Sequence, residues 1–203
     1  MSLNMRNSQF GNLFQNRWND KNGRFEIDER TQKVCMVNNE YFKSKKQIVS
    51  PAMDYISNAL ENSNDYYITS LNFKYCYLGF DDLLYLGQAM RLNRTLVKLN
   101  LSKNNLKSKT MRLFLDSIQD NYTLADLNVA GNLLDDAFAF DLACVLEDNQ
   151  SLHTVDISGN PISQAGAQCI LKVLLTNNDT LQSLGKDMDL NPYMGVRKRE
   201  EIR

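Results

Sequence analysis

The stretch LVKLNLSKNNL, residues 96–106, carries leucines at its first, fourth, sixth and eleventh positions and an asparagine at its ninth. LADLNVAGNLL (124–134) and LHTVDISGNPI (152–162) fill the same slots, and ITSLNFKYCYL (68–78) does so with Cys76 in the asparagine slot. The first slots fall at 68, 96, 124 and 152, and LQSL starts a fifth copy at 181. Recurrence at steps of 28, then 29, is typical of stacked repeats with periods of roughly 20–29 residues.

Each copy is predicted to pair a short strand with a helix. Apolar and polar residues alternate in Leu99-Asn100-Leu101, which indicates a strand with one buried face. A connection between parallel strands usually contains a helix, and segments such as DAFAFDLACVLEDN at 136–149 supply one. Two helix columns four residues apart are apolar in every copy and should pack behind the sheet. They are Leu86, Phe114, Leu142 and Ile170, and Met90, Ile118, Leu146 and Leu174.

Two sets of asparagines recur with the repeat. One set follows the strands, where a buried amide can bond turn backbone that the sheet leaves unpaired, and it is predicted to form a ladder: Asn104, Asn132 and Asn160. The other set ends the helices, where asparagine can adopt the left-handed cap conformation: Asn93, Asn121, Asn149 and Asn177. Glycosylation triplets begin at Asn93, Asn121, Asn149 and Asn178. Since nothing indicates export, we interpret them as structural positions.

The repeat divides the chain into four segments. Residues 1–50 form an N-terminal extension, and 51–67 form a capping helix that should turn Met53, Ile56 and Leu60 inward. Residues 68–184 hold the repeats, and 185–203 form a polar C-terminal cap or tail. Repeats bury their apolar faces only by stacking, so both ends of the array need a cap.

A repeat of 28 residues with a full helix resembles the ribonuclease-inhibitor-like subclass of leucine-rich repeat proteins. The resemblance implies an α/β leucine-rich-repeat solenoid, a right-handed β-α superhelix with a concave parallel sheet and convex helices. Its members serve as binding surfaces, so the resemblance implies a protein without catalysis. The length of the array is also similar to the leucine-rich domain of tropomodulin-like actin-capping proteins and to small axonemal repeat proteins.

Composition and motifs argue against several functions. A formal net charge of −1 argues against nucleic-acid binding, and no apolar run approaches the roughly 18 residues that span a membrane. The N-terminus lacks a secretory signal, and the four cysteines lack metal spacing, which is typical of reduced cytoplasmic thiols. WNDKNGRFEIDE (18–29) fails as a calcium loop because Trp18 replaces the first carboxylate. Asn22-Gly23 better fits a hairpin turn. We expect no metal, cofactor or small-molecule ligand.

Two surfaces are candidates for binding other proteins. The first is the set of outward strand residues on the concave face, where lysines in early repeats give way to aspartates in later ones and could orient a partner of opposite polarity. It comprises Ser70, Asn72, Lys74, Lys98, Asn100, Ser102, Asp126, Asn128, Ala130, Thr154, Asp156 and Ser158. The second is the aromatic residues of the N-terminal extension, which could contact a neighbour or cover the first repeat: Phe10, Phe14, Trp18 and Phe25.

The sequence therefore favours a non-catalytic protein-interaction scaffold within a large cytoskeletal, ciliary or axonemal assembly in the cytoplasm. The alternative is a regulator that masks a partner enzyme or caps a filament through its concave face. A third interpretation, an enzyme that uses the single histidine, His153, lacks a serine or cysteine at an informative spacing. The scaffold predicts that loss of residues 1–50 impairs binding most, whereas the regulator predicts that reversal of Lys98 and Asp126 does.

Overall fold

A computed structural model describes residues 24–28, 33–37, 51–61, 68–185 and 188–189. Within these ranges the strands form a single sheet in chain order. The strands are β1 (Arg24–Asp28), β2 (Lys33–Val37), β3 (Ser70–Asn72), β4 (Lys98–Asn100), β5 (Asp126–Asn128), β6 (Thr154–Asp156), β7 (Ser183–Gly185) and β8 (Met188–Asp189). The helices are α1 (Pro51–Glu61), α2 (Phe80–Leu92), α3 (Ser108–Ile118), α4 (Asp136–Asp148) and α5 (Gln164–Thr176). Strand and helix alternate from β3 to β7.

The central strands are parallel, and their register equals the sequence period. Leu71, Leu99, Leu127 and Val155 lie side by side across β3, β4, β5 and β6. A slip of one residue would turn these side chains to the opposite face of the sheet. Burial of the apolar face therefore fixes the register, and the predicted parallel sheet with alternating helices is confirmed.

The predicted helix columns form the core between sheet and helices. One column is completely buried: Leu86, Phe114, Leu142 and Ile170. The other exposes at most 5% of any side chain: Met90, Ile118, Leu146 and Leu174. From α2 to α5 each helix packs against the next, so every repeat covers the apolar side of its neighbour, as stacked repeats require.

Elements outside the regular period extend the array at both ends. β2 runs parallel to β3, and β1 pairs antiparallel with β2 and places Phe25 opposite Met36. At the other end, β7 continues the parallel sheet, and β8 pairs antiparallel with β7. Neither β1 nor β2 is predicted by the sequence pattern. The turn at Asn22-Gly23 and the aromatic residues Phe10, Phe14 and Trp18 lie outside the described residues.

Helix α1 covers the first repeat as its sequence predicts. Met53, Ile56 and Leu60 are completely buried, and α1 packs against α2. The end of α1 is tied to the array because Asn93 Nδ2 donates to the Leu60 carbonyl at 2.9 Å. The inward face of this helix is thereby confirmed.

The asparagines that follow the strands form the predicted ladder. Asn104 Oδ1 accepts from the backbone N–H of Cys76 at 2.8 Å, and its Nδ2 donates to the carbonyls of Phe73 and Leu101 at 2.8 and 2.9 Å. Asn132 accepts from the Asn104 N–H at 2.8 Å, one repeat further on. These amides satisfy turn backbone that has no partner in the sheet, which confirms the structural interpretation.

The asparagines that end the helices do not adopt the predicted left-handed conformation. Asn93 and Asn149 are extended, with φ of −68° and −74°, and Asn177 has φ −124°. The conformation is extended because the side chain reaches back to the preceding repeat: Asn149 Nδ2 donates to the Asn121 carbonyl at 3.0 Å. Asn177 is the C-cap of α5, as predicted, but in the last repeat Asn178 makes the side-chain bonds to the preceding repeat.

Gly87 of α2 lies where two neighbouring helices approach closely. A Cβ at this position would lie 2.8 Å from Ser117 Oγ and 3.2 Å from Ser117 Cβ on α3. We expect Gly87→Ala to lower the free energy of unfolding by about 1 kcal/mol, because overpacking costs about 1–3 kcal/mol. That cost exceeds the gain in helix propensity of about 1 kcal/mol.

A double-mutant cycle tests this prediction. In a Ser117→Ala background the hydroxyl is gone, so Gly87→Ala is expected to be neutral or stabilising. Urea denaturation of the four proteins measures the coupling between the two positions. An equal effect of Gly87→Ala in both backgrounds would show that the helices adjust freely.

Candidate protein-binding surface

The open face of the sheet forms a shallow trough of about 400 Å³ that crosses strands β3 to β7. The outward side chains of its strands are polar, but carbon atoms of the strands and of three leucines contribute most of the lined surface. The lining residues are Ser70, Leu71, Asn72, Lys98, Leu99, Asn100, Asp126, Leu127, Asn128, Thr154, Asp156, Ser183 and Gly185. We call this surface the trough.

An ion pair lies in the middle of the trough. Lys98 and Asp126 are register partners on β4 and β5, and Lys98 Nζ lies 2.6 Å from Asp126 Oδ2. The Lys98 side chain is 64% exposed, so the pair contributes little to stability. The pairing also alters the predicted gradient from lysine to aspartate, because its two central charges compensate each other.

At the C-terminal end of each strand from β3 to β6, a side-chain oxygen accepts a hydrogen bond from the following turn. Asn72, Asn100 and Asn128 each accept from the backbone N–H two residues later, at 3.1, 2.9 and 3.0 Å. Asp156 does the same with Ser158 N at 3.1 Å and also accepts from Asn128 Nδ2 at 3.2 Å. These bonds fix the rotamers of these side chains, so the surface is ordered before any partner binds.

Most residues predicted for the concave face lie in the trough. Eight of the twelve residues predicted for this face line it: Ser70, Asn72, Lys98, Asn100, Asp126, Asn128, Thr154 and Asp156. The remaining four lie beyond the strand ends: Lys74, Ser102, Ala130 and Ser158. Ser102 and Asp156 expose only 4% and 8% of their surface, so these two positions offer little area to a partner. Asp156 is covered because its carboxylate bonds Asn128 and Ser158.

The structure reveals an aromatic edge beside the trough that the sequence analysis missed. Tyr75 and Tyr77 follow β3 and are 41% and 45% exposed. Lys74 and Lys103 lie near the ring of Tyr75, with their Nζ atoms 5.7 and 5.1 Å from its centroid. The sequence could have indicated this edge, because Tyr75 and Lys103 align at the 28-residue period with Gly131 and Gly159. Large side chains therefore occupy a position where later repeats have glycine.

Two carboxyl groups with shifted pKa values lie away from the trough. A hydrogen bond from Ser108 Oγ holds the pKa of Asp135 below its ordinary value. Burial raises the pKa of Asp141, while the charge of Arg112 opposes this effect. Both groups belong to the helical side of the molecule, and they serve the packing of neighbouring repeats.

The described residues assemble no group of three or more His, Cys, Asp or Glu side chains that could hold a metal ion. His153 is exposed, and its Nδ1 lies 2.6 Å from the Ser151 carbonyl. Among the described helices, none combines the length and the apolar character needed to cross a membrane.

A family model described as Leucine Rich repeat matches residues 92–110 and 148–171. No curated protein matches the sequence. Among solved structures, leiomodin-1 actin-binding site 2 is 16% identical, with 74% of this chain and 89% of that chain covered and a TM-score of 0.59. The tropomodulin C-terminal domain of Caenorhabditis elegans is also 16% identical, with 74% and 95% covered and a TM-score of 0.61.

The 28-residue register, the asparagine ladders and the alternation of strand and helix define a parallel β-α solenoid built from stacked repeats. The family match falls on two of these repeats, and the structural likenesses share the same architecture. The chain has the leucine-rich-repeat fold.

Proposed function

We propose that the protein is a non-catalytic protein-binding module of a cytoskeletal assembly and that its partner binds in the trough. The observation that carries the proposal is the ordered polar surface across β3 to β7, whose side chains are held by hydrogen bonds and one ion pair. A surface ordered in advance loses less conformational entropy on association. Its openness suits a protein segment better than a small ligand, which usually binds in a cleft that buries most of the ligand surface.

The cytoskeletal part of the proposal rests on structural likeness. The leiomodin-1 domain is named as an actin-binding site, and the tropomodulin domain shares the same fold. Actin filaments are therefore the first partner to test. A ciliary or axonemal assembly is the finer version of the proposal, and either places the protein in the cytoplasm.

Exchange of the two charges in the trough tests the proposal. Lys98→Glu with Asp126→Lys preserves an opposite-charge pair and the net charge, so the fold should remain stable. Reversal of the local field should weaken binding at least about tenfold, because charges opposite a partner set orientation and specificity. Co-sedimentation with actin filaments gives the apparent Kd.

The convex face supplies a matched control. Arg112 and Asp141 form an ion pair on the helices, with Arg112 Nε 4.0 Å from Asp141 Oδ1. The exchange of these two charges should leave the apparent Kd unchanged. Binding that survives the trough exchange within twofold would exclude the trough as the actin site, and absence of any sedimentation would exclude actin.

The regulator alternative predicts a different readout. Likeness to tropomodulin makes a filament cap the specific form of this alternative. A cap slows elongation at substoichiometric concentration, whereas a scaffold co-sediments along the filament in proportion to its length. Fluorescence assays of actin elongation at a few nanomolar protein distinguish the two functions.

The N-terminal extension remains a proposed second contact. Deletion of residues 1–22 removes Phe10, Phe14 and Trp18 but keeps β1, β2 and every repeat. If the extension docks on a neighbour, this deletion weakens recovery of native partners from extract more than the trough exchange does. The opposite order favours the concave face.

A further inference from the structure

The turns after β3 and β4 place two tyrosines and two lysines at one edge of the sheet. Tyr75 and Tyr77 are exposed large aromatic residues, and Lys103 is exposed beside them. The Nζ atoms of Lys74 and Lys103 both lie within 6 Å of the Tyr75 ring centroid, at 5.7 and 5.1 Å. We call Lys74, Tyr75, Tyr77 and Lys103 the tyrosine-lysine rim.

The backbone of the rim is strained in a way that later repeats avoid. Tyr75 and Lys103 have φ of 60° and 59°, and the equivalent positions in the next two repeats are Gly131 and Gly159 at 64° and 66°. A left-handed conformation is unfavourable for side chains with a Cβ and easy for glycine. Tyr77 has φ 56° as well.

The turn holds these residues despite the strain. Tyr75 N donates to the Ser102 carbonyl at 3.3 Å and Lys103 N donates to the Ala130 carbonyl at 2.9 Å, as Gly131 N does to Ser158 at 2.8 Å. The repeat thus imposes the conformation on whichever residue occupies the column. Glycine would relieve the strain at Tyr75 and Lys103, yet these positions carry large side chains. This observation supports the hypothesis that the side chains have a function.

The charges of the rim lack internal compensation. Within the described part of the chain, neither Lys74 nor Lys103 forms an ion pair. Their distances to one ring centroid place the two ammonium nitrogens at most about 11 Å apart, near the screening length of about 8 Å in physiological salt. The Lys103 stem lies against Gly131, where an added Cβ would meet Lys103 Cγ at 3.2 Å. Both ammonium groups therefore lie around one ring, and the Lys103 stem is packed against Gly131.

We infer that the tyrosine-lysine rim binds an acidic segment of a partner protein. Carboxylates of an acidic segment would compensate the two ammonium charges, and the exposed parts of Tyr75 and Tyr77 offer contact area for the flanking peptide. Tyrosine is among the residue types enriched in binding hot spots, and the two lysines add a charge complementary to an acidic partner. The inference goes beyond the proposed function because it concerns another surface and holds even if the trough binds nothing.

Charge favours a peptide over a nucleic acid. The rim offers two cations, whereas nucleic-acid binding usually uses a broad basic face. The neighbouring trough adds no net positive charge, because Lys98 is paired with Asp126 and Asp156 also lines it. A short acidic segment needs only the two rim lysines, whereas a nucleic acid needs a longer row of cations.

The test measures binding of a fluorescein-labelled peptide of six glutamates flanked by glycines, by fluorescence anisotropy with the full chain. Tyr75→Gly and Lys103→Gly each remove a rim side chain and also its backbone strain. We expect each to raise Kd at least about tenfold while the melting temperature stays unchanged or rises. Lys172→Ala, on the exposed side of α5, is the control that removes one cation elsewhere and should leave Kd unchanged.

Further measurements in the same assay distinguish an acidic peptide from an uncharged peptide and from a nucleic acid. A peptide of six glutamines should not bind, and a six-nucleotide single-stranded RNA should bind more weakly than the glutamate peptide. The Lys98 and Asp126 exchange should leave peptide affinity unchanged, so failure at the trough and failure at the rim are distinguishable. Absence of saturable glutamate-peptide binding, equal affinity in the rim variants or tighter binding of RNA would each overturn the inference.

Discussion

Replacement of Asn132 by leucine should lower the free energy of unfolding by about 4 kcal/mol. The side chain is 4% exposed and its amide makes four backbone bonds. Its Oδ1 accepts from Asn104 N at 2.8 Å and Leu106 N at 3.1 Å. Its Nδ2 donates to the carbonyls of Leu101 and Val129 at 3.1 and 2.8 Å. Leucine keeps a similar volume but leaves all four groups without this partner, at about 1–3 kcal/mol for each group that stays buried.

We place the total near the lower end because turn carbonyls can recover water when the loop relaxes. A loss of this size is a large part of the roughly 5–15 kcal/mol that stabilises a typical domain. Urea unfolding followed by circular dichroism at 222 nm measures it. Leu133→Ala is the control, since Leu133 is the next residue in the same turn and is 49% exposed, so its loss should cost little.

A loss below about 1 kcal/mol for Asn132→Leu would contradict the ladder as a stabilising element. A changed slope of unfolding against urea, with little change in midpoint, would show that the repeats unfold separately. Stacked repeats depend on their nearest neighbours, so a broken central rung is the place where such uncoupling should appear first.

The 28-residue period was enough to predict the fold because every repeat must bury its apolar strand residues against its helix. Leu99, Leu127 and their equivalents must face the helices, and this requirement sets strand, register and helix face together. The asparagine ladder follows from the same logic, since a turn that recurs in register leaves the same backbone groups unpaired. Sequence alone therefore predicts both the core and its polar support.

The period also indicates which residues of the site are neighbours, although they are far apart along the chain. A lysine early in the array and an aspartate later in it suggested opposite poles, but positions 98 and 126 differ by one repeat and must be neighbours. Tyr75 shares its column with two glycines, which indicates a left-handed position occupied by an aromatic residue. Both features become visible when columns are compared across repeats.

Other features could not be predicted because no repeat encodes them. β1 and β2 lie outside the period, and their pairing with β3 depends on contacts distant in sequence. Burial of Asp156 depends on the side chains of Asn128 and Ser158 and on the approach of the following strand. Such details follow from tertiary packing, which a column of similar residues does not specify.

The final helix end shows how a single added residue alters the register. A constant step of 28 selects Asn177, yet the last step is 29 and Asn178 occupies the column. The triplet Asn-x-Ser/Thr marks the correct residue, because it begins at Asn178 and at each earlier helix end. The hydroxyl residue has a structural role: Ser151 Oγ donates to Asn121 O at 2.8 Å.

Asn178→Ala is expected to lower the free energy of unfolding by about 2–3 kcal/mol, whereas Asn177→Ala should cost less than about 0.5 kcal/mol. Asn178 is completely buried, and its Nδ2 donates to the carbonyls of Leu146 and Asn149 at 2.8 and 3.0 Å. Its Oδ1 accepts from Thr180 N and Leu181 N at 3.0 and 2.9 Å. Asn177 is exposed, and within the described residues its side chain makes no hydrogen bond.

The two substitutions remove the same atoms from adjacent positions, so composition and helix propensity are matched. Urea unfolding at equal protein concentration gives the difference between them. If both substitutions lower the free energy of unfolding equally, the assignment of the buried amide to Asn178 alone is contradicted. A larger loss for Asn177→Ala would show that Asn177, at a step of 28, is the buried position. Because Asn178 bonds the preceding repeat, its loss should also increase hydrogen exchange at Thr180 and Leu181 while β4 and β5 stay protected.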